Sequence, residues 1–274
     1  MTTLAEYAAS RELMANLTLR ELRAKYKRSI LGWAWSLLNP LATMLIFTLV
    51  FGYILKVPPP LGDPSGMHTF AFFLLCGLLP WNYLTSSVGG GIGNLLANAN
   101  LVKKTYFPRD LLVASLVASC LVSFLIEMAL LTVALLVFGN MVLPYLPVAV
   151  LLIALLTLFV TGLGLAFSVI NVYFRDVQHL VSILFQVWFY LNPIVYPLTL
   201  VPERTKIFGL SVPARAIYQL NPMVGFVESF RDLLYHLRMP PAGQLLYLVV
   251  VSGAVFAFGL SLFNKLEGRL AEEL

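Results

Sequence analysis

The sequence predicts an all-α integral membrane protein with six transmembrane helices. Three observations carry this prediction. Charged residues make up 11% of the 274-residue chain and mean hydropathy is +0.86, whereas soluble domains are about one quarter charged. Six apolar segments, roughly 34–55, 69–96, 111–138, 146–170, 180–200 and 244–263, are each long enough to cross about 30 Å of hydrocarbon as a helix. Short segments of alternating polarity, the mark of a membrane barrel, are absent from the sequence.

The chain begins with a polar, basic stretch that does not read as a signal peptide. Residues 11–29 have helical spacing: Ala15, Leu19, Leu22 and Tyr26 share one face, Leu13 and Leu17 make a smaller patch, and Arg20, Arg23 and Lys27 point elsewhere. This predicts an amphipathic helix lying at the inner membrane interface, with Arg20, Arg23, Lys27 and Trp33 near anionic headgroups. Plain positive-inside anchoring is the alternative. The second segment contains Gly89–Gly93, "GGGIG". No Lys-Ser/Thr follows it, so it is no phosphate-binding loop, and close helix packing or a bend suits it better. Glu127 is the acidic residue deepest in a predicted span. Such a carboxylate hydrogen-bonds structurally, lines a polar path or couples to protons.

The fifth segment is dense in aromatics, "FQVWFYLNPIVY" (Phe185–Tyr196), and Trp188, Tyr190 and Tyr196 offer flat faces to a sugar chain as well as to packing neighbours. Pro193 and Pro197 should kink or end it. Asn-Pro recurs at 39–40, 192–193 and 221–222, in surroundings too different to make a repeat. The connection from Val201 to Pro241 is too long for a turn and too apolar for a wet loop. It either dips back into the membrane or lies on its surface. Within it Asn221 caps and Pro222 opens a helix to Leu237. Phe226, Phe230, Leu233 and Leu237 form its apolar stripe, and Glu228, Arg231, Asp232 and Tyr235 form a polar one.

Twelve Lys and Arg residues fall in the N-terminal segment, the loops after spans 2 and 4 and the tail, against six on the other side. The basic side should be cytoplasmic. That places both termini inside and the 201–241 connection outside. The net charge of +5 is thus a topology signal rather than a sign of nucleic-acid binding. Cys76 and Cys120 sit in apolar runs, and His68, His179 and His236 lie near different span ends, so no metal or catalytic constellation emerges. The chain divides into a cytoplasmic segment 1–33, a membrane domain 34–263 and a tail 264–274.

Five stretches resemble the ABC-2 type permeases that export cell-surface polysaccharides: "RELRAKYKRSILGWAWSLLNPL" (20–41), "FPRDLL" (107–112), "FRDVQHLV" (174–181), "FYLNPIVYPL" (189–198) and "LNPMVGFVESFRDLLY" (220–235). They occur in family order and cover nearly the whole chain, most closely like O-antigen and wall teichoic acid exporters. The resemblance implies a homodimer of six-span subunits in the inner membrane, paired with two copies of a separate ABC ATPase that binds ATP and Mg2+. This chain itself would hold no cofactor and catalyse no reaction. It implies ATPase coupling through 98–110 (Leu101, Val102, Lys103, Lys104, Tyr106, Phe107) and the turn at Arg175 and Asp176. It implies two short re-entrant helices between spans 5 and 6, with Phe226, Phe230 and Leu233 closing the outer mouth. It implies a translocation path for an undecaprenyl-linked glycan, for which Glu127, Trp188, Tyr190 and Tyr196 are the candidate lining. A permease for a smaller lipid or drug, or a scaffold without transport, are the competing readings.

Overall fold

The protein is seen in a computed structural model that describes residues 11–25, 32, 34–54, 56, 60–104, 107–207 and 210–273. Among these, four helices are long and apolar enough to cross a membrane. They are α3 (Phe70–Ala97), α5 (Asp110–Val137), α6 (Leu146–Tyr173) and α10 (Ala242–Leu266). The shorter elements are α1 (Arg11–Lys25), α2 (Ala34–Phe47), α4 (Ala99–Lys104), α7 (Val177–Tyr190), α8 (Ala214–Gln219), α9 (Pro222–Arg231) and α11 (Leu270–Glu273). A small antiparallel hairpin, β1 (Thr205–Ile207) with β2 (Leu210–Val212), precedes α8 and has no counterpart in the sequence prediction.

The fifth predicted span is shorter than expected, and the first is helical over its predicted length but not uniformly α. α2 carries Pro40 in its interior and passes at Thr48 into a π-helical turn that runs to Ile54. α7 stops at Tyr190, well before Leu200. Pro193 and Pro197 cannot donate to a helical ladder, so the chain turns there. The predicted tail is also shorter, because α10 continues to Leu266.

α3 is the centre of the bundle. Its apolar window is 78% buried, against 17% for α10, and it touches α2, α5, α6, α7 and α9. Two apolar clusters stack along it. One lies at the end that carries both described termini and joins Leu17 of α1, Val102 of α4, Leu111 and Leu112 of α5, Phe263 of α10 and Leu270 of α11. The larger one fills the middle and the opposite, distal end. α1 runs along α5 within reach of that helix's interior: Lys25 Nζ donates to Ser123 Oγ at 3.3 Å, while Arg20 bonds Asn98 at 2.8 Å. Of the predicted stripe of α1, Leu22 packs while Ala15 and Leu19 do not, and Tyr26 lies outside the described residues. Leu13, Met14 and Leu17 face the bundle together with Leu22, and Leu19 is exposed. Where a helix has two apolar patches, the available groove decides which is buried.

The closest helix pair is α6 with α10. A Cβ placed on Gly259 would fall 2.0 Å from the Gly162 carbonyl oxygen, and one on Gly162 would fall 2.6 Å from Phe256 Cα. Backbone faces backbone, so no side-chain rotation relieves the clash. Gly91 does similar service between α3 and α6, where Gly164 Cα lies 3.7 Å from its hypothetical Cβ. Gly259→Ala is therefore expected to lower stability by about 1–3 kcal/mol, the range of core overpacking. Gly253→Ala, with nothing within 4 Å, should be neutral or stabilising by up to ~1 kcal/mol through helix propensity. Thermal unfolding of the two variants in the same detergent checks this, and equal melting temperatures would refute it.

Candidate functional site

The distal end is built on a break in one helix and a charge in another. Where α7 ends, Pro193 and the turn after it leave carbonyls without helical partners. Arg231, the last residue of α9, supplies them. Its guanidinium donates to the carbonyls of Ile194 at 2.6 Å, Phe73 at 3.3 Å and Pro193, and pairs with Glu228 at 3.0 Å. It also lies 3.6 Å from the centroid of the Phe73 ring. Arg231 is 1% exposed. Burial of a cation is costly, and only a full set of acceptors offsets it. The planar fork of Arg, with five N–H donors, meets this demand where a Lys ammonium would not. Gly77 of α3 makes room, since a Cβ there would sit 3.0 Å from Val227 and 3.2 Å from the guanidinium.

The recurrence of Asn-Pro has a local explanation. Asn221 Nδ2 donates to Asn192 Oδ1 at 2.9 Å, so two of the three Asn-Pro pairs meet. Asn221 Oδ1 accepts from Met223 N at 3.1 Å, the N-cap expected from sequence, and from Trp188 Nε1 at 3.1 Å. One amide thus starts α9 and ties it to the aromatic end of α7. Arg231 was the residue that helical-wheel reasoning missed. Glu228, Arg231, Asp232 and Tyr235 read as a wet face, yet Arg231, Asp232 and Tyr235 are buried and Glu228 is largely covered. The signal was present in Val224, Val227 and Leu234, which interleave with these polar residues and are buried too.

A latch closes over the end of α9. After Arg231 the chain widens into a π-helical turn, Asp232–His236, and stops at Leu237 in the left-handed region with φ 60°. Two other segments bind this stop, the loop between α5 and α6 and the loop before α3. Asn140 Nδ2 donates to the Leu234 carbonyl at 2.7 Å, and Tyr145 Oη to that of Leu237. From the loop before α3, Ser65 Oγ donates to the Tyr235 carbonyl and Asp63 N–H to His236 Nδ1 at 3.2 Å. Tyr235 Oη returns to the carbonyls of Pro60 and Met67 at 2.7 and 3.0 Å. Burial, with Arg238 and Arg231 nearby, pushes His236 down to about 4 against the opposing pull of Asp63. It is therefore neutral, and its Nδ1 is free to accept.

The structure places the candidate residues as follows. Phe226, Phe230 and Leu233 have no exposed surface; Phe226 packs 6.0 Å from Phe159 of α6 and Phe230 6.4 Å from Phe124 of α5. Trp188 meets Trp81 of α3 edge-on at 5.7 Å, beside an open recess of about 430 Å³ lined by Trp81, Phe185, Phe189 and the exposed Tyr190. Tyr196 bonds the Tyr190 carbonyl and the Tyr218 hydroxyl, both at 2.7 Å. Glu127 is not part of this group. It faces a different, almost wholly apolar crevice of about 340 Å³ between α2, α3 and α5, with Pro40, Met44, Leu75, Leu79 and Phe138. The cation acting on it comes from another helix, Lys25 of α1.

At the terminal end, Val102 is buried and Leu101 and Phe107 are half-buried against the chain's own cluster, while Asn100, Lys103 and Lys104 of α4 are exposed. The apolar pair packs on the chain's own cluster, Val102 fully and Leu101 in part. Arg175 and Asp176 are exposed at the turn between α6 and α7. Arg20 is bound to Glu21 and Asn98, and Arg23 is exposed. Lys27, Trp33 and Tyr106 lie outside the described residues.

Two outcomes follow from the distal junction. Arg231→Ala leaves three buried carbonyls and Glu228 without their donor, and should cost about 3–5 kcal/mol; Arg231→Lys should recover only part. Thermal unfolding measures both, and a loss below 1 kcal/mol for Ala would refute the assignment. His236 yields a pH dependence. Its folded-state value is depressed from 6.5 to about 4, so as pH falls through that window the unfolded form takes up the proton first. The stability it contributes is whole above pH 6.5 and declines toward pH 4. Amide exchange at Asp63, corrected for intrinsic rate, should quicken over that window, and His236→Gln, whose carbonyl accepts at every pH, should flatten the response. A pH-independent exchange in the unmodified chain would count against the latch.

The chain's similarities agree with this architecture. The family described as "ABC-2 type transporter" matches residues 12–235. The chain is 32% identical over 265 residues, 96% of each sequence, to the O-antigen export system permease protein RfbA of Myxococcus xanthus. It is 31% identical over 269 residues to the protein of the same name in Klebsiella pneumoniae, covering 96% of this chain and 95% of that one. It is 27% identical over 252 residues, 92% of each, to the polysialic acid transport protein KpsM of Escherichia coli. A membrane bundle with this family's pattern over most of its length, related end to end to polysaccharide export permeases, belongs to the ABC-2 type transporter family: it is a multi-pass inner-membrane transport subunit and not an enzyme.

Proposed function

We propose that this chain is the membrane half of an ATP-driven exporter of lipid-linked polysaccharide, most nearly of the O-antigen kind. The observation that supports this best is similarity over 96% of the chain to O-antigen export permeases. In this reading the terminal end faces the cytoplasm, as the distribution of Lys and Arg favours. α2 with its π turn, and α7 with the turn after it, complete six spans. α8 and α9 re-enter from the outer side, with Phe226, Phe230 and Leu233 as the closed mouth. The path runs along Trp188, Tyr190 and Tyr196, whose rings suit the apolar faces of sugars. Two copies of the chain work with two copies of an ABC ATPase, which holds the ATP and Mg2+. Lys103, Lys104, Arg175 and Asp176 meet that partner on its surface.

A teichoic acid, rich in phosphate, is the second reading, because Arg204, Lys206 and Arg215 sit in the outer connection. Arg215 weakens it. Its guanidinium is taken up by the carbonyls of Val201 and Thr199 and by Glu203. An uncharged or lightly charged glycan is favoured accordingly.

The test is reconstitution with the ATPase subunit in lipid nanodiscs and vesicles, offering undecaprenyl-linked O-antigen and lipid-linked poly(glycerol phosphate) separately. ATP-dependent movement of the first and not the second is expected. Reversing Lys103 and Lys104 to Glu should cut ATPase co-purification about tenfold, the scale of a few exposed ion pairs lost together, with the permease itself still monodisperse. Movement of neither glycan in an ATPase-bound complex would overturn the function.

A further inference from the structure

The two loops assigned to the ATPase are far apart in sequence, yet both end on one spot. Arg109, which follows α4, donates from its guanidinium to the carbonyl of Glu267. Tyr173, which precedes Arg175, donates its hydroxyl to the carbonyl of Leu266 at 2.9 Å. These are adjacent carbonyls at the end of α10: Leu266 is its last residue, and Glu267 opens the 3-10 turn that follows and also accepts the Leu270 N–H. A cation is favoured there by the helix dipole. Just beyond, Leu270 of α11 is fully buried against Val102 of α4 and Leu17 of α1, and α11 touches both α4 and α6. The Glu267 carboxyl, half-buried beside this joint, is pushed above the usual range by burial and by Asp110, against the pull of Arg109. The tail is thus a floor under the coupling loops and not a loose end.

We propose that the segment Leu266–Leu270 is a mechanical joint that makes the loop around α4 and the loop around Arg175 move as one body when the ATPase pulls on either. This rests on the coupling reading above and adds the tail to the partner-facing apparatus. Arg109 and Tyr173 are positioning residues in this scheme. They reach the partner only through the tail. Two independent loops would each pass on part of the stroke. Loops joined at one pair of carbonyls pass it on together or not at all.

Non-additivity is the diagnostic. The permease is purified with its ATPase in nanodiscs, and ATP turnover is compared with that of the ATPase alone to give the permease-dependent part. Tyr173→Phe removes a single hydroxyl and leaves the helix packing intact, and Arg109→Gln removes the charge. Each should lower the permease-dependent turnover by about threefold or more, the order of one lost hydrogen bond, with co-purification retained. The double variant should fall no further than the worse single. Arg109→Lys, which still puts a cation on the carbonyl, should restore more than half. Losses that multiply in the double variant would mean two separate contacts and would overturn the joint, as would single variants that match the unmodified complex. An unmodified complex with no permease-dependent turnover would overturn the coupling reading and the joint with it.

Discussion

The distal half of this protein depends on one buried guanidinium. α7 must stop short, because Pro193 and Pro197 remove donors, and its stop exposes carbonyls inside an apolar bundle. Arg231 answers those carbonyls and, with the same fork, holds α3 through Phe73. Remove it and three elements lose their common partner. The apolar packing of Phe226, Phe230 and Leu233 follows from that placement, since α9 can only insert between α5, α6 and α10 once its polar residues are satisfied within the protein. The charge and the grease on α9 are parts of one solution.

The terminal half uses a different device. There the helices are held by close backbone approach and by a leucine-rich cluster that receives α1, α4 and α11 as caps. Exposed cations on α4 and at Arg175 stand on this firm base. Apolar residues beside them, Leu101 and Val102, pack on this base. A short helix that buries its apolar side in its own protein and shows its charges presents a fixed, oriented basic ridge.

Much of the fold was legible in the sequence. Spans such as 111–138 and 146–170 are long and uniformly apolar, so length alone identifies them, and the Asn221-Pro222 start of α9 is a local signal. What stayed hidden was set by tertiary context. Helical-wheel reasoning treats a polar stripe as wet, and could not see that Arg231 faces the carbonyls of a broken helix thirty-odd residues away in the chain. The packed face of α1 depended on which groove lay next to it, so Leu17 was undervalued and Leu19 overvalued. Glu127 faces the crevice beside α2 while Trp188 packs on Trp81, and nothing in a linear sequence says which neighbours each will meet. The meeting of two Asn-Pro pairs needed the turn after α7, and Pro193 and Pro197 foretell a break there without its direction.

In the turn after α7 Arg231 reads peptide groups, those of Pro193 and Ile194, and not the side chains these residues carry; only at Phe73 does it meet a ring as well as a carbonyl. Every residue has a carbonyl, so the turn after α7 is free to change its side chains, within the limits of packing, without losing its partner. The guanidinium has no such freedom, because no other side chain offers that fork. Information at this junction is therefore lopsided: one position is rigidly specified so that its neighbours need not be. A turn built this way can change its surface while the frame behind it stays as it is.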